Sequence, residues 1–148
     1  MTSWLGDPLV RAFEAAAMEG RCFRHREHLY VAWCYLKSLP FEEAAMRYTR
    51  QLRAVAAALG APEKYHVTIT WAYLVLLADV LADPALGALG FDELVERVPS
   101  LFDHRDGVLF ELYDREELAS EQARTRLVFP QGAKRPSWAG AGRSASGS

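Results

Sequence analysis

Three of the four histidines in this 148-residue chain lie in two short strings that begin in a similar way. The first string opens with His25-x-x-His28 and the second with Glu63-x-x-His66, each at the head of an apolar segment with helical spacing. Residues three apart on a helix lie on the same face. Imidazole nitrogens and carboxylate oxygens are ligands for zinc, iron, copper or nickel, so the pattern predicts a transition-metal site. The predicted ligands are His25, His28, His66 and Glu63.

The two strings belong to an imperfect internal repeat. Residues 28–39 (HLYVAWCYLKSL) and residues 66–77 (HVTITWAYLVLL) share a histidine, a tryptophan, a tyrosine and two leucines. The repeat predicts two equivalent helices with a third helix between them. Three helices joined by tight turns run up, down and up, which brings the N-termini of the first and third to one end of a bundle. We therefore expect the two histidine pairs to face one centre.

Three interpretations of this centre are open. Three nitrogens and one oxygen leave room at a metal for water or substrate. This arrangement predicts a metal-dependent enzyme that acts on a small molecule. Glu63 would be the fourth ligand or the general base, and is the predicted catalytic residue. Helix N-termini also favour anions, and the nearby Arg24, Arg26 and Lys64 strengthen that preference. The second interpretation is therefore a metal-free binding module for an anionic small molecule. In the third, the histidines are capping or packing residues of a structural or interaction protein.

Composition and charge restrict the class of protein. The apolar fraction of 51% with 24% charged residues is typical of a globular domain. A net charge of −2 gives no electrostatic case for nucleic-acid binding. The longest apolar run, 67–81, is broken by Thr68, Thr70 and Asp79 and is too short to span a bilayer, so no membrane partner is expected. Its apolar character would allow a homodimer.

The two cysteines indicate the cellular compartment of the protein, through the expected redox state of their thiols. Cys22 and Cys34 fall on what the pattern predicts as one helical stretch, which would separate them by about 18 Å, too far for a disulfide. The N-terminal residues show no basic segment followed by an apolar one, so no signal peptide is expected. Reduced thiols without a leader predict a cytoplasmic protein.

Proline, glycine and acidic residues divide the chain into helices. The predicted helices cover residues 8–18, 24–38, 41–59, 62–82, 91–98 and 114–124. Residues 131–148 are mostly glycine, alanine, serine and basic residues, which predicts a disordered C-terminal tail. We therefore expect one all-α domain over residues 1–130, a compact bundle of about five to six helices built on two quasi-repeated helical hairpins.

Three strings of residues carry a resemblance. They are Phe23-x-His25-x-x-His28-Leu29-x-x-Ala32-Trp33-x-Tyr35-Leu36, Tyr65-His66-x-Thr68-x-Thr70 and Leu118-x-Ser120-x-x-Ala123-Arg124. Together they resemble a group of short bacterial all-helical proteins that have no assigned function, over residues 20–130. The resemblance implies that His25, His28 and His66 occur together and that His104 is outside the pattern. It implies no activity.

Overall fold

The computed structural model describes residues 4–130, which form an all-helical domain. Its α-helices are α1 (Pro8–Glu14), α2 (His25–Ser38), α3 (Phe41–Ala58), α4 (Val67–Ala82), α5 (Pro84–Gly87), α6 (Phe91–Arg97), α7 (Leu109–Leu112), α8 (Arg115–Leu118) and α9 (Glu121–Thr125). Short 3-10 turns occur at Trp4–Gly6, Pro62–Lys64 and Pro99–Phe102. The predicted all-α class is confirmed for this part of the chain. The predicted disordered tail, 131–148, lies outside the described residues.

Local signals set most of the helix ends. The Asp7 carboxylate caps α1 by accepting the backbone N–H of Leu9 at 2.8 Å. Pro40 separates α2 from α3, because a proline disfavours helix at the residue before it and is tolerated at a helix start. The predicted helices 24–38, 41–59 and 91–98 are confirmed to within one residue. The first helix is shorter than predicted, since Ala16 has a left-handed φ of 52° that ends the helical path before residue 18.

The start of α4 differs from the sequence prediction. Pro62–Lys64 form a single 3-10 turn, and the following Tyr65 and His66 have extended backbone. The α-helix therefore begins at Val67 and not at residue 62. As a result Glu63 and His66 do not share a helical face.

The core lies between α1, α2, α3 and α4, which pack against one another. Trp33 and Tyr35 of α2 and Leu74 and Leu77 of α4 are fully buried within it. Burying a side chain of this size stabilises the fold by about 1.5–3 kcal/mol. Trp33 is a core residue, whereas its counterpart in the repeat, Trp71, is only half-buried against the core. No helix in residues 4–130 is both long and apolar enough to cross a membrane.

The segment after α9 is fastened to α4 through one threonine. The Thr68 side chain is fully buried, and its hydroxyl donates to the Arg126 carbonyl at 2.7 Å. The same oxygen accepts the Val128 backbone N–H at 3.0 Å. The Tyr113 hydroxyl donates to the Val128 carbonyl at 2.7 Å. Residues 126–128 are therefore held against the bundle although they are not helical.

A tight loop follows the 3-10 turn Pro99–Phe102. Gly107 is buried there, and a Cβ atom at this position would collide with the backbone carbonyl oxygens of Ser100 and Asp103. The Val108 N–H donates to the Ser100 carbonyl at 3.0 Å and closes the loop. The close approach of these backbone segments is possible only with glycine at position 107.

We expect Thr68→Val to lower the free energy of unfolding by about 1–3 kcal/mol, because the Arg126 carbonyl and Val128 N–H lose their partner. Urea denaturation followed by circular dichroism measures the change. Thr125→Val is the control, since its exposed hydroxyl bonds to the Glu121 carbonyl of its own helix. The control should change stability by less than about 0.5 kcal/mol. Equal losses in the two variants would contradict the fastening role of Thr68.

Candidate functional site

A groove of about 560 Å³ is formed by the turn before α2, by α2, α3 and the start of α4, and by the α3–α4 connection. Its volume is in the range of small-molecule binding sites. Its apolar lining residues are Met18, Phe23, Leu52, Val55, Ala56, Leu59, Ala61 and Ile69. Its polar lining residues are Arg21, His28, Lys64, Tyr65, His66 and Thr70. Two of the predicted histidines, His28 and His66, thus line one cavity.

A second cavity of about 70 Å³, which we call the chamber, adjoins this groove. The groove and the chamber share four lining residues, which are His28, Leu52, Ile69 and Thr70. The other residues of the chamber are His25, Leu29, Ala32, Tyr48, Tyr73 and Leu74. His28 therefore stands on the wall between the two cavities, and His25 lines only the smaller one.

His66 uses both of its ring nitrogens to build the fold. Nδ1 accepts the backbone N–H of Ile69 at 3.1 Å, which makes His66 the N-cap of α4. Nε2 lies 2.7 Å from the carbonyl oxygen of Leu118. A carbonyl oxygen only accepts, so Nε2 carries the proton. While these two bonds are made, His66 has no lone pair to give to a metal ion.

His25, the first residue of α2, is anchored in a different direction. Its Nε2 lies 3.1 Å from the carbonyl oxygen of Leu101 and donates to it. The imidazole packs on the Tyr73 ring with a centroid distance of 4.6 Å, and the exposed His104 ring lies 5.5 Å away. Burial lowers the pKa of His25, against the opposing effect of the hydrogen bond to Leu101. Burial therefore favours the neutral ring.

Glu63 is exposed in the 3-10 turn Pro62–Lys64 and is not a lining residue of the groove or the chamber. Its backbone carbonyl accepts from the Arg124 guanidinium at 3.4 Å. The predicted Glu63-x-x-His66 pair does not form on one helical face, because the chain is extended just before α4.

Of the three predicted histidines, His28 is the one with both ring nitrogens available, since His25 uses Nε2 and His66 uses both nitrogens. Its ring packs on Phe23 with a centroid distance of 4.1 Å, and within residues 4–130 its nitrogens make no hydrogen bond. Burial lowers the pKa of His28 to about 4; the charge of His25 adds to this effect and Glu27 opposes it. Near neutral pH the ring is uncharged and presents one N–H donor and one acceptor to the cavities.

The charged side chains of the groove are all cationic. Arg21 and Lys64 are exposed lining residues, and no aspartate or glutamate is among the lining residues. Of the basic residues that the sequence associated with anion binding, Lys64 alone lines the groove. Arg26 instead pairs with Asp92 at 2.6 Å in a separate cleft. Arg24 is exposed just before α2 and does not line the groove.

Two residues of these cavities were missed in the sequence. Gly20 has a left-handed φ of 77° and turns the chain after α1, which places Arg21 on the groove wall. A basic residue after a turn glycine is the only local signal for Arg21. Tyr73 of the chamber is the tyrosine that the repeat shares with Tyr35, so the repeat itself marked the position without indicating a role.

Across residues 4–130, no group of three or more His, Cys, Asp and Glu side chains is arranged to hold a metal ion. His66 is committed to two backbone groups, and Glu63 is exposed outside the cavities. The predicted metal site of His25, His28, His66 and Glu63 stays a prediction that this arrangement does not support.

Comparison of the chain with protein-family models, with curated proteins and with solved structures finds no match. The resemblance to short bacterial helical proteins likewise stays a prediction. The groove and the chamber are therefore the features of the described chain that indicate a function.

We expect His66→Ala to lower the free energy of unfolding by about 1–3 kcal/mol, because it removes the N-cap and leaves the Leu118 carbonyl without its donor. His66→Asn should recover part of this loss, since asparagine is a good N-cap residue. Thermal and urea denaturation measure both variants. His104→Ala, at an exposed histidine, is the control; a comparable loss there would contradict the capping role.

Acid should destabilise the fold through His28. The unfolded chain takes up a proton at this residue near pH 6.5, whereas the folded protein does so only near pH 4. The unfolded state then binds more protons between these values, so stability falls as pH drops through this window, by at most about 3 kcal/mol. His28→Gln should flatten this part of the profile of urea midpoint against pH. The exposed-site control His104→Gln should keep the wild-type slope, and an unchanged slope in His28→Gln would refute the assignment.

Proposed function

We propose that this protein binds a small amphipathic carboxylate in the groove, without a metal ion. The observation that carries the proposal is the charge of the lining residues. Arg21 and Lys64 stand on walls that are otherwise mainly apolar, and no carboxylate side chain accompanies them. A ligand with an apolar body and an anionic head complements such a surface.

The apolar body would supply most of the affinity. The groove presents Phe23, Leu52 and Ile69 among its larger apolar side chains. Each methylene group transferred from water to such a surface contributes about 0.8 kcal/mol. A chain or ring of several carbon atoms therefore gains several kcal/mol, part of which offsets the entropy lost on binding.

The two cations would supply the preference for an anion. Arg21 and Lys64 are exposed, so each contact with a carboxylate is worth about 0.2–1 kcal/mol and is screened by salt. Neither side chain has an ion-pair partner within residues 4–130, so a ligand carboxylate has no internal competitor. The neutral His28 ring adds one directional hydrogen bond, worth about 0.5–1.5 kcal/mol.

The hydrogen bonds of His66 favour this proposal over a metal-dependent enzyme. A catalytic metal needs at least three protein ligands with free lone pairs, and binding through His66 would release either the cap on α4 or the Leu118 carbonyl. Carboxylate binding requires no such rearrangement. It uses Lys64 and Arg21 as they stand.

Titration with octanoate, followed by calorimetry, tests the proposal. We expect one site, weakened by added salt, and a loss of affinity of about twofold to fivefold in Lys64→Gln and in Arg21→Gln. Octanol, with the same body and no charge, should bind more weakly than octanoate. Arg50→Gln is the matched control, since Arg50 is exposed on α3 and does not line the groove.

Absence of octanoate binding, or equal losses in Arg50→Gln and Lys64→Gln, would overturn the proposal. Zinc titrated into chelator-treated protein tests the rival interpretation, which is the metal site. Stoichiometric zinc binding that is abolished by His25→Ala and by His66→Ala, and unaffected by Lys64→Gln, would favour the metal site.

A further inference from the structure

Tyr73, a lining residue of the chamber, has a buried hydroxyl group that is unsatisfied. Tyr73 is 7% exposed, and within residues 4–130 its hydroxyl oxygen is buried without a hydrogen-bond partner. Burial raises the pKa of Tyr73 to about 12, so the group is a protonated donor at neutral pH. Buried polar groups without partners are uncommon in folded proteins, because desolvation is then not compensated.

The other hydroxyl groups around the chamber have hydrogen-bond partners within the protein. The Tyr48 hydroxyl donates to the His28 carbonyl at 3.2 Å. The Thr70 side chain is half-buried and hydrogen-bonds to Tyr65. Tyr73 therefore contributes a donor that the protein itself does not use. His28 lines the same chamber, and its ring nitrogens are also unused.

The chamber is suited in size to the end of a ligand and not to a whole ligand. A water molecule takes about 30 Å³ in the liquid, so the chamber of about 70 Å³ holds two or three non-hydrogen atoms. It adjoins the groove along four shared lining residues, among them His28 and Thr70. A molecule that lies in the groove can therefore place one small terminal group in the chamber.

We infer that the ligand is a carboxylate with a hydroxyl group at the end remote from its charge, and that this hydroxyl occupies the chamber. Its oxygen accepts from the Tyr73 hydroxyl, and its own hydrogen is donated to the acceptor nitrogen of the neutral His28. Both unused groups of the wall are then satisfied by one ligand group. This inference rests on the proposed function, because the carboxylate end is held by Arg21 and Lys64.

The experiment compares straight-chain carboxylates with their ω-hydroxy counterparts. Butanoate, hexanoate and octanoate, each with and without the terminal hydroxyl, are titrated by calorimetry into the wild-type protein and Tyr73→Phe. For the chain length that spans the groove, we expect the hydroxyl to tighten binding about tenfold in the wild type. In Tyr73→Phe the two members of that pair should bind within about twofold of each other. Tyr113→Phe removes a hydroxyl that donates to the Val128 carbonyl, and neither residue lines the chamber, so this variant should keep the wild-type preference.

The outcomes separate the inference from the proposed function. If no carboxylate binds, the proposed function fails. If carboxylates bind and no chain length gains from the hydroxyl, or if the gain survives in Tyr73→Phe, the proposed function stands and the inference is overturned.

A stability measurement tests the unused hydroxyl independently. Tyr73→Phe deletes an unpaired group, so its Tm should equal or exceed that of the wild type. Tyr48→Phe deletes a hydroxyl that donates to the His28 carbonyl and should lower the Tm. A Tyr73→Phe protein that loses as much stability as Tyr48→Phe, or fails to fold, would show that the Tyr73 hydroxyl has a partner in the protein, and the inference would then be wrong.

Discussion

The two hydrogen bonds of His66 join the local and the distant parts of this domain. One bond ends the extended stretch and starts α4 at Val67, and the other ties that point to Leu118 in α8. Because the helix starts there, the preceding Lys64 stays in a 3-10 turn at the wall of the groove. Thr68, two residues after His66, holds the segment after α9 against the bundle. One uncharged imidazole thus positions a groove wall and the C-terminal part of the described chain together.

The sequence predicted the helices whose ends depend on backbone chemistry. Pro40 marks the boundary between α2 and α3 because the ring of proline acts on its neighbours irrespective of tertiary structure. The start of α4 was predicted wrongly, since Pro62 opens only one turn and the true cap is a histidine. A histidine is not among the usual N-cap residues, and its second bond, to Leu118, is 52 residues away in the chain. No local pattern encodes such a contact.

The candidate site was predictable in part for the same reason. The repeat brought His28 and His66 to one cavity, because helix order and short connections fix where helix ends meet. The repeat did not show that the two histidines have different roles. His28 is the fourth residue of α2 and His66 precedes α4, so matched positions differ by about one turn of helix. The availability of ring nitrogens, and the meeting of Arg21 with Lys64, depend on packing that only the folded chain defines.

The buried glycine of the loop after residue 102 has a consequence for how this protein tolerates mutation. A side chain at position 107 would push apart the carbonyl groups of Ser100 and Asp103, and the turn between them supplies the Leu101 carbonyl that orients His25. In a library of random variants, the exposed Arg105 and Asp106 should accept many residue types, whereas position 107 should accept glycine alone. A surface loop would then contain a position as intolerant as the interior, for a reason of backbone clearance and not of lost apolar contact.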